Sequence, residues 1–82
     1  MTERRFVYVL ASEHTEQYYI GVTSNVTNRL TAHNAGDSPQ TRKYGPWRLV
    51  VALAFATEER ALQFERYLKS GAGRAFAKRH FN

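Results

Sequence analysis

Two apolar runs near the N-terminus set the pattern of the chain. Phe6 to Ala11, FVYVLA, is continuously apolar, rich in β-formers, and reads as a buried strand. Ser12 to Gln17 is polar and turn-like, and Tyr18 to Val22 returns to strand character. The pair predicts an antiparallel hairpin with a loop of about six residues. A third run, Trp47 to Phe55, is apolar enough to be the central strand.

Helical signals fill the gaps. Ser24 or Asn25 can accept a hydrogen bond from an exposed backbone N–H and so cap a helix running to about Asn34, with Gly36 beyond it as a left-handed stop. Residues 35–46, AGDSPQTRKYGP, predict a long loop carrying the basic pair Arg42-Lys43. Thr57 caps a second helix, with Glu58 and Glu59 in the first turn where the helix dipole favours anions; Gly71 marks its stop. A short last helix is expected over about Gly73 to His80. No repeat, linker or low-complexity segment interrupts this order. The expected fold is α+β: ββαβαα, with a three-stranded, mainly antiparallel sheet packed against helices.

Composition narrows the picture. Eighty-two residues suit one domain over 1–82, and 43% hydrophobic content is too high for disorder. With no cysteine, disulfides and thiolate metal sites are excluded. No apolar run approaches the roughly 20 residues of a membrane span, and MTERRF lacks a signal peptide's apolar region, so a cytoplasmic protein is expected. The net charge of +5 is unevenly placed. Basic and acidic residues cancel up to residue 59, whereas residues 60–82 hold six Lys and Arg against the single acid Glu65. Such a segment suits a polyanion-facing surface or a solvated helical face, and charge alone fits both.

More telling are polar groups where apolar ones belong. In the first helix Val26 and Leu30 should face the sheet; Arg29 and His33 each follow one of them by three residues and so border the same face. In the second helix Ala61, Phe64 and Leu68 form the inward stripe, and Glu65 lies beside it. A buried charge left unpaired costs several kcal/mol, roughly, so these groups need partners. One reading is an Arg29–Glu65 ion pair bridging two helices, with His33 a satisfied border residue. Tyr8 and Tyr19, on neighbouring strands, can also set hydroxyls on one sheet face, while Tyr18 should point to the other. Two phenols, a guanidinium, an imidazole and a carboxylate from four elements make a less ordinary set.

Phe6-Val7-Tyr8 followed by Tyr19-Ile20-Gly21 resembles the paired motif of the GIY-YIG endonuclease superfamily. Further matches are Thr23, Arg29 in NRL, His33 in AHN, Gly36, Pro46-Trp47 and Glu65 in FERYLK, and LKSGAGRAFAKRHF is similar to the ending of small stand-alone bacterial members. The resemblance spans about residues 6 to 81. It implies a ββαβαα fold and phosphodiester hydrolysis with one divalent cation, Mg²⁺ or Mn²⁺. It also implies Tyr8 and Tyr19 as motif tyrosines, Arg29 as the helix arginine, Glu65 as the metal ligand, and His33 at a position commonly histidine. Phe6 replaces the motif glycine, and Val22 stands where some members place lysine.

Phosphodiester cleavage needs a deprotonated water in line, neutralised phosphoryl oxygens and help for the leaving oxygen. Glu65 offers one hard oxygen to a hydrated cation, and Arg29 can fork onto the phosphate. Tyr8, with its phenolate favoured by nearby cations, is expected to activate water; Tyr19 orients water or phosphate, and His33 relays a proton or holds the phosphate. Arg42, Lys43, Lys69, Arg74, Lys78 and Arg79 supply contacts to a nucleic acid, expected to be DNA, with low sequence specificity. Two other readings compete: a nucleic-acid-binding module that keeps the scaffold but cuts little, and an interaction domain whose Arg29–Glu65 pair is structural.

Overall fold

The computed structural model describes residues 5–81. Its elements are β1 (Arg5–Ser12), β2 (Tyr18–Thr23), α1 (Val26–Asn34), α2 (Pro39–Tyr44), β3 (Trp47–Phe55), α3 (Glu58–Lys69) and α4 (Gly71–Phe81). One antiparallel sheet has the order β2-β1-β3. The α+β class and the expected element order hold, with α2 added.

Burial explains the strand order. Val7 to Ser12 are all buried, with Val7 and Val9 turned to one face and Tyr8 and Leu10 to the other. A strand apolar on both sides belongs in the middle of a sheet covered on both faces. The expectation that Trp47–Phe55 is central is therefore corrected: β3 is an edge, and Leu49 there is 41% exposed. A register shift opposite Val9 and Leu10 leaves Val50 as an extra residue in β3.

Helices cover the two faces separately. Val26 and Leu30 of α1 and Tyr44 of α2 pack on Tyr8, Leu10 and Trp47. Ala61, Phe64 and Leu68 of α3, with Phe76, Ala77 and Phe81 of α4, pack on Val7 and Val9. The inward groups of α1 thus meet the Tyr8 face, and those of α3 meet the opposite one.

Residues 35–46 are not all loop. Ser38 caps α2, its hydroxyl accepting from the Thr41 N–H, while the Thr41 hydroxyl accepts from the Ser38 N–H; Pro39 opens the first turn. Ser-Pro with a hydroxyl three residues later is a helix start that the flanking glycines obscured. The last helix also starts earlier than expected. Ser70 closes α3 in extended geometry and accepts from the Gly73 N–H, so one residue ends one helix and caps the next, leaving no break at Gly71. Other signals hold: Asn25 caps α1, Thr57 caps α3, and Gly36 adopts φ 76°. No described helix is long and apolar enough to cross a membrane.

Candidate active site

The face beneath α1 gathers four of the five expected catalytic side chains. Tyr8 comes from β1 and is 2% exposed; His33, from the last turn of α1, is 1% exposed. The Tyr8 hydroxyl and His33 Nε2 form a 2.9 Å hydrogen bond. Tyr19 lies on the same side of β2, with its ring centroid 4.4 Å from that of His33 and 6.2 Å from that of Tyr8. Trp47 closes the far side of Tyr19 edge-on at 6.2 Å. Arg29, one turn before His33, is close enough for its guanidinium to act electrostatically on the Tyr8 hydroxyl.

Gly21 makes room for this arrangement. It is the cross-strand partner of Tyr8, and a β-carbon there would lie 2.5 Å from the Tyr8 hydroxyl oxygen and 2.7 Å from Cζ. The motif glycine is thus occupied space: the phenol ring lies over its backbone. Ile20 points the other way, into the Val7–Val9 core. Tyr18 is exposed, with its neighbour Ile20 on the α3–α4 side.

Electrostatics run against one expectation. Burial pushes the Tyr8 phenol above its usual value of 10.0, outweighing the downward pull of the Arg29 hydrogen bond and charge. Among the protein groups, burial therefore outweighs the Arg29 cation expected to favour the phenolate. His33 moves in the complementary direction. Burial and the Arg29 charge hold it below 6.5, against the opposing pull of Asp37, so the imidazole is neutral and able to take a proton.

Glu65 makes no ion pair or hydrogen bond with this group. It is on α3, 19% exposed at the side chain, with its carboxylate 3.4 Å from Lys69 Nζ. The Arg29–Glu65 pair is not formed. Arg29 lies instead 3.8 Å from Asp37, because α1 and α3 cover opposite faces of the sheet. Among the described residues no group of three or more His, Cys, Asp or Glu could hold a metal ion. Glu65 remains a single hard donor whose present partner is an exchangeable i,i+4 pair, which suits a cation keeping most of its ligands as water and phosphate oxygens.

The basic residues divide between two places. Arg42 and Lys43 lie on α2, where Arg42 donates to the Gly36 carbonyl and Lys43 sits 5.3 Å over the Tyr44 ring. Lys69, Arg74 and Lys78 line a groove of about 970 Å³ on the α3–α4 side, joined by Arg48. Its floor includes Ile20, Leu68 and Phe81, and it reaches Tyr19, which also packs against His33. Arg79 is exposed on α4.

Three residues that hold the site carry little or no signal in the sequence. Asn34 grips the start of β3 twice: its Oδ1 accepts from the Trp47 N–H at 2.6 Å, and its Nδ2 donates to the Trp47 carbonyl at 3.1 Å. Buried Thr41 accepts at its carbonyl from Trp47 Nε1. Asp37 lies between α1 and α2, its oxygens 3.7 Å from His33 Nδ1 and 3.8 Å from Arg29. Asn34 is the last residue of the AHN match and was within reach, whereas nothing local marks Asp37.

The family model described as the GIY-YIG catalytic domain matches residues 4–79. The chain belongs to the GIY-YIG family. It is 37% identical over 70 residues to a UPF0213 protein of Streptococcus pneumoniae, a match covering 84% of this chain and 70% of that protein. It is 42% identical over 59 residues to a structure-specific endonuclease subunit SLX1 homolog of Giardia intestinalis; this match covers 67% of the chain but only 16% of that much longer protein. The solution NMR structure of the UPF0213 protein BH0048 from Bacillus halodurans is similar in fold, with a TM-score of 0.58 and 29% identity, covering 96% of this chain and 87% of that one. Within this GIY-YIG domain, Tyr8, Tyr19 and Gly21 stand in the paired motif, and their cluster with Arg29 and His33 is the candidate active site of a nuclease fold.

Proposed function

We propose that this GIY-YIG domain is a divalent-metal-dependent endonuclease that hydrolyses phosphodiester bonds in DNA with low sequence specificity. The observation that carries this reading is the buried 2.9 Å contact between Tyr8 and His33, with Arg29 beside it.

The 2.9 Å contact between the Tyr8 hydroxyl and His33 Nε2 supports a proton route through the pair. A water attacking phosphorus gives its proton to the Tyr8 oxygen as the phenol passes its own to His33 Nε2. A new P–O bond forms, the bond to the leaving oxygen breaks, and the imidazole ends protonated. Tyr8 need not exist as free phenolate, because the imidazole behind it takes the charge. Arg29 faces the negative charge growing on the phosphoryl oxygens, and Tyr19 walls the imidazole and orients the water or phosphate. Glu65 would hold Mg²⁺ or Mn²⁺, which supplies further neutralisation of the phosphoryl and leaving oxygens when bound.

Phosphates flanking the cut would lie along Lys69, Arg74 and Lys78 in the groove that reaches Tyr19, with Arg42, Lys43 and Arg79 as outer contacts. None of these is placed as a base-reading element, so affinity should be salt-sensitive and sequence-poor.

The test is cleavage of plasmid, branched and single-stranded DNA with Mg²⁺, Mn²⁺ or EDTA, comparing wild type with Glu65→Ala. Loss of cutting in EDTA and in Glu65→Ala supports the reading; metal-independent or mutant-insensitive cutting overturns it. A second reading is favoured by the Lys69 contact that Glu65 already makes: a nucleic-acid-binding module with little cleavage of its own. Salt-dependent binding without cleavage under either metal would select it.

A further inference from the structure

His33 Nδ1 is buried and has no hydrogen-bond partner, an uncommon state for an interior polar atom. It faces the Asp37 carboxylate, whose Oδ1 lies 3.7 Å away. That gap is too long for a hydrogen bond, but it sets a partly exposed carboxylate against a buried imidazole, close enough for its charge to act on the ring. The carboxylate is itself fixed. Thr41 Oγ1 lies 3.3 Å from Asp37 Oδ1 and shares its one proton between that oxygen and the Ser38 carbonyl at 3.1 Å, Arg29 approaches Oδ2 at 3.8 Å, and the Asp37 N–H donates to the Ala32 carbonyl. Thr41 is 1% exposed and locked into the α2 cap.

A neutral imidazole carries one proton, and its position decides what Nε2 can do. With the proton on Nε2, the ring would donate to Tyr8, and bare Nδ1 would turn its lone pair on a carboxylate. With the proton on Nδ1, that N–H points at negative charge, and Nε2 accepts from the Tyr8 hydroxyl. We propose that Asp37 is a positioning residue that holds His33 as the Nδ1–H tautomer and so aims the Tyr8 proton at Nε2. The groups facing the imidazole are Tyr8 from β1, Tyr19 from β2, Arg29 from α1 and Asp37 from the α1–α2 connection; Asp37 is the one anion among them. The helix α2 thereby gains a task, since Thr41 at its start places a hydroxyl beside the carboxylate that sets the ring.

The catalytic consequence rests on the proposed nuclease reading, but the tautomer does not. Long-range ¹H–¹⁵N correlation spectra of the ¹⁵N-labelled full chain distinguish the two imidazole nitrogens, with His33 assigned among the three histidines by its loss in His33→Gln. The expected result at neutral pH is a protonated Nδ1 and a bare Nε2. Wild-type His33 in the Nε2–H form would overturn the proposal without any variant having to fold. Asp37→Asn keeps the shape and the acceptor for Thr41 but removes the charge; it should give mixed tautomers, and an unchanged spectrum also counts against Asp37.

In cleavage, Asp37→Asn should lower kcat about tenfold or more with little change in KM, and add no further loss in a Tyr8→Phe background. Unchanged kcat in an actively cutting preparation would overturn the positioning role. If no nucleic acid is cut even by wild type, the function reading fails, and the spectra alone decide the proposal.

Discussion

Tyr8 and Gly21 face each other across the first two strands, and the phenol ring lies where a side chain on Gly21 would be. The strand pairing, the glycine and the 2.9 Å contact to His33 are thus one arrangement. Gly21→Ala should push the Tyr8 hydroxyl away from Nε2, because the added carbon would come within 2.5 Å of it. Overpacking of this kind costs on the order of 1–3 kcal/mol. Cleavage should fall by about two orders of magnitude, because a small misplacement of a reacting group is enough for that. Paired urea titrations and cleavage rates check whether activity falls much further than stability.

Arg29 separates a catalytic account from a structural one. A buried pair with Glu65 would make Arg29→Ala cost about 3–5 kcal/mol. Its actual partner is Asp37 at 3.8 Å, and both side chains are more than a third exposed, so the pair should contribute below about 1 kcal/mol. The expected outcome is a nearly wild-type urea midpoint with cleavage reduced on the order of a hundredfold or more, as for loss of a charge-stabilising donor.

His33 gives the domain a pH signature with a defined sign. Its folded pKa lies below the usual 6.5, so the unfolded chain binds the proton first as pH falls. Stability is full above about 6.5, and is lost as pH drops through the window between 6.5 and the lower folded value. Cleavage should fall at the lower, folded value, where the imidazole can no longer accept a proton. Unfolding midpoints and rate profiles between about pH 4 and 8 test both; His33→Gln should flatten the stability curve there.

Asn34 is expected to matter for structure first. Asn34→Ala removes both ties to the Trp47 backbone and should destabilise by about 1–3 kcal/mol, read from chemical denaturation.

In the groove, Arg74→Glu combined with Lys78→Glu should weaken DNA binding across sequences. The slope of log affinity against log salt should become shallower by roughly one unit for each phosphate that is no longer neutralised. Fluorescence anisotropy over a salt series measures this.

Much of the fold could be read from the chain because the relevant signals are local. Apolar runs marked all three strands, and Asn25, Thr57 and Gly36 marked helix ends by cap and turn chemistry. What escaped was relational. Whether β1 or β3 is central depends on how many faces are covered, and a long apolar run in β3 does not reveal that its face is left open at Leu49. The helix α2 was hidden because its start, Ser38-Pro39, lies among glycines that otherwise signal loop.

The site divides the same way. Tyr8, Tyr19, Arg29 and His33 were legible from side-chain periodicity and the motif, and the structure brings them together. Arg29's partner was not legible: periodicity shows that a residue faces inward, but not which sheet face its helix covers. Asp37 carries no local signal, since its place beside His33 depends on the left-handed turn at Gly36 and on Thr41.

The Tyr8–His33 couple is tested by single-turnover cleavage of labelled DNA in Mg²⁺ or Mn²⁺, with wild type beside Tyr8→Phe. The phenylalanine variant keeps the ring over Gly21 and loses only the hydroxyl. Cleavage lower by at least about a hundredfold, in a variant with wild-type DNA affinity and stability, is the predicted result. Tyr8→Phe cutting at the wild-type rate would contradict it and remove Tyr8 from the chemistry.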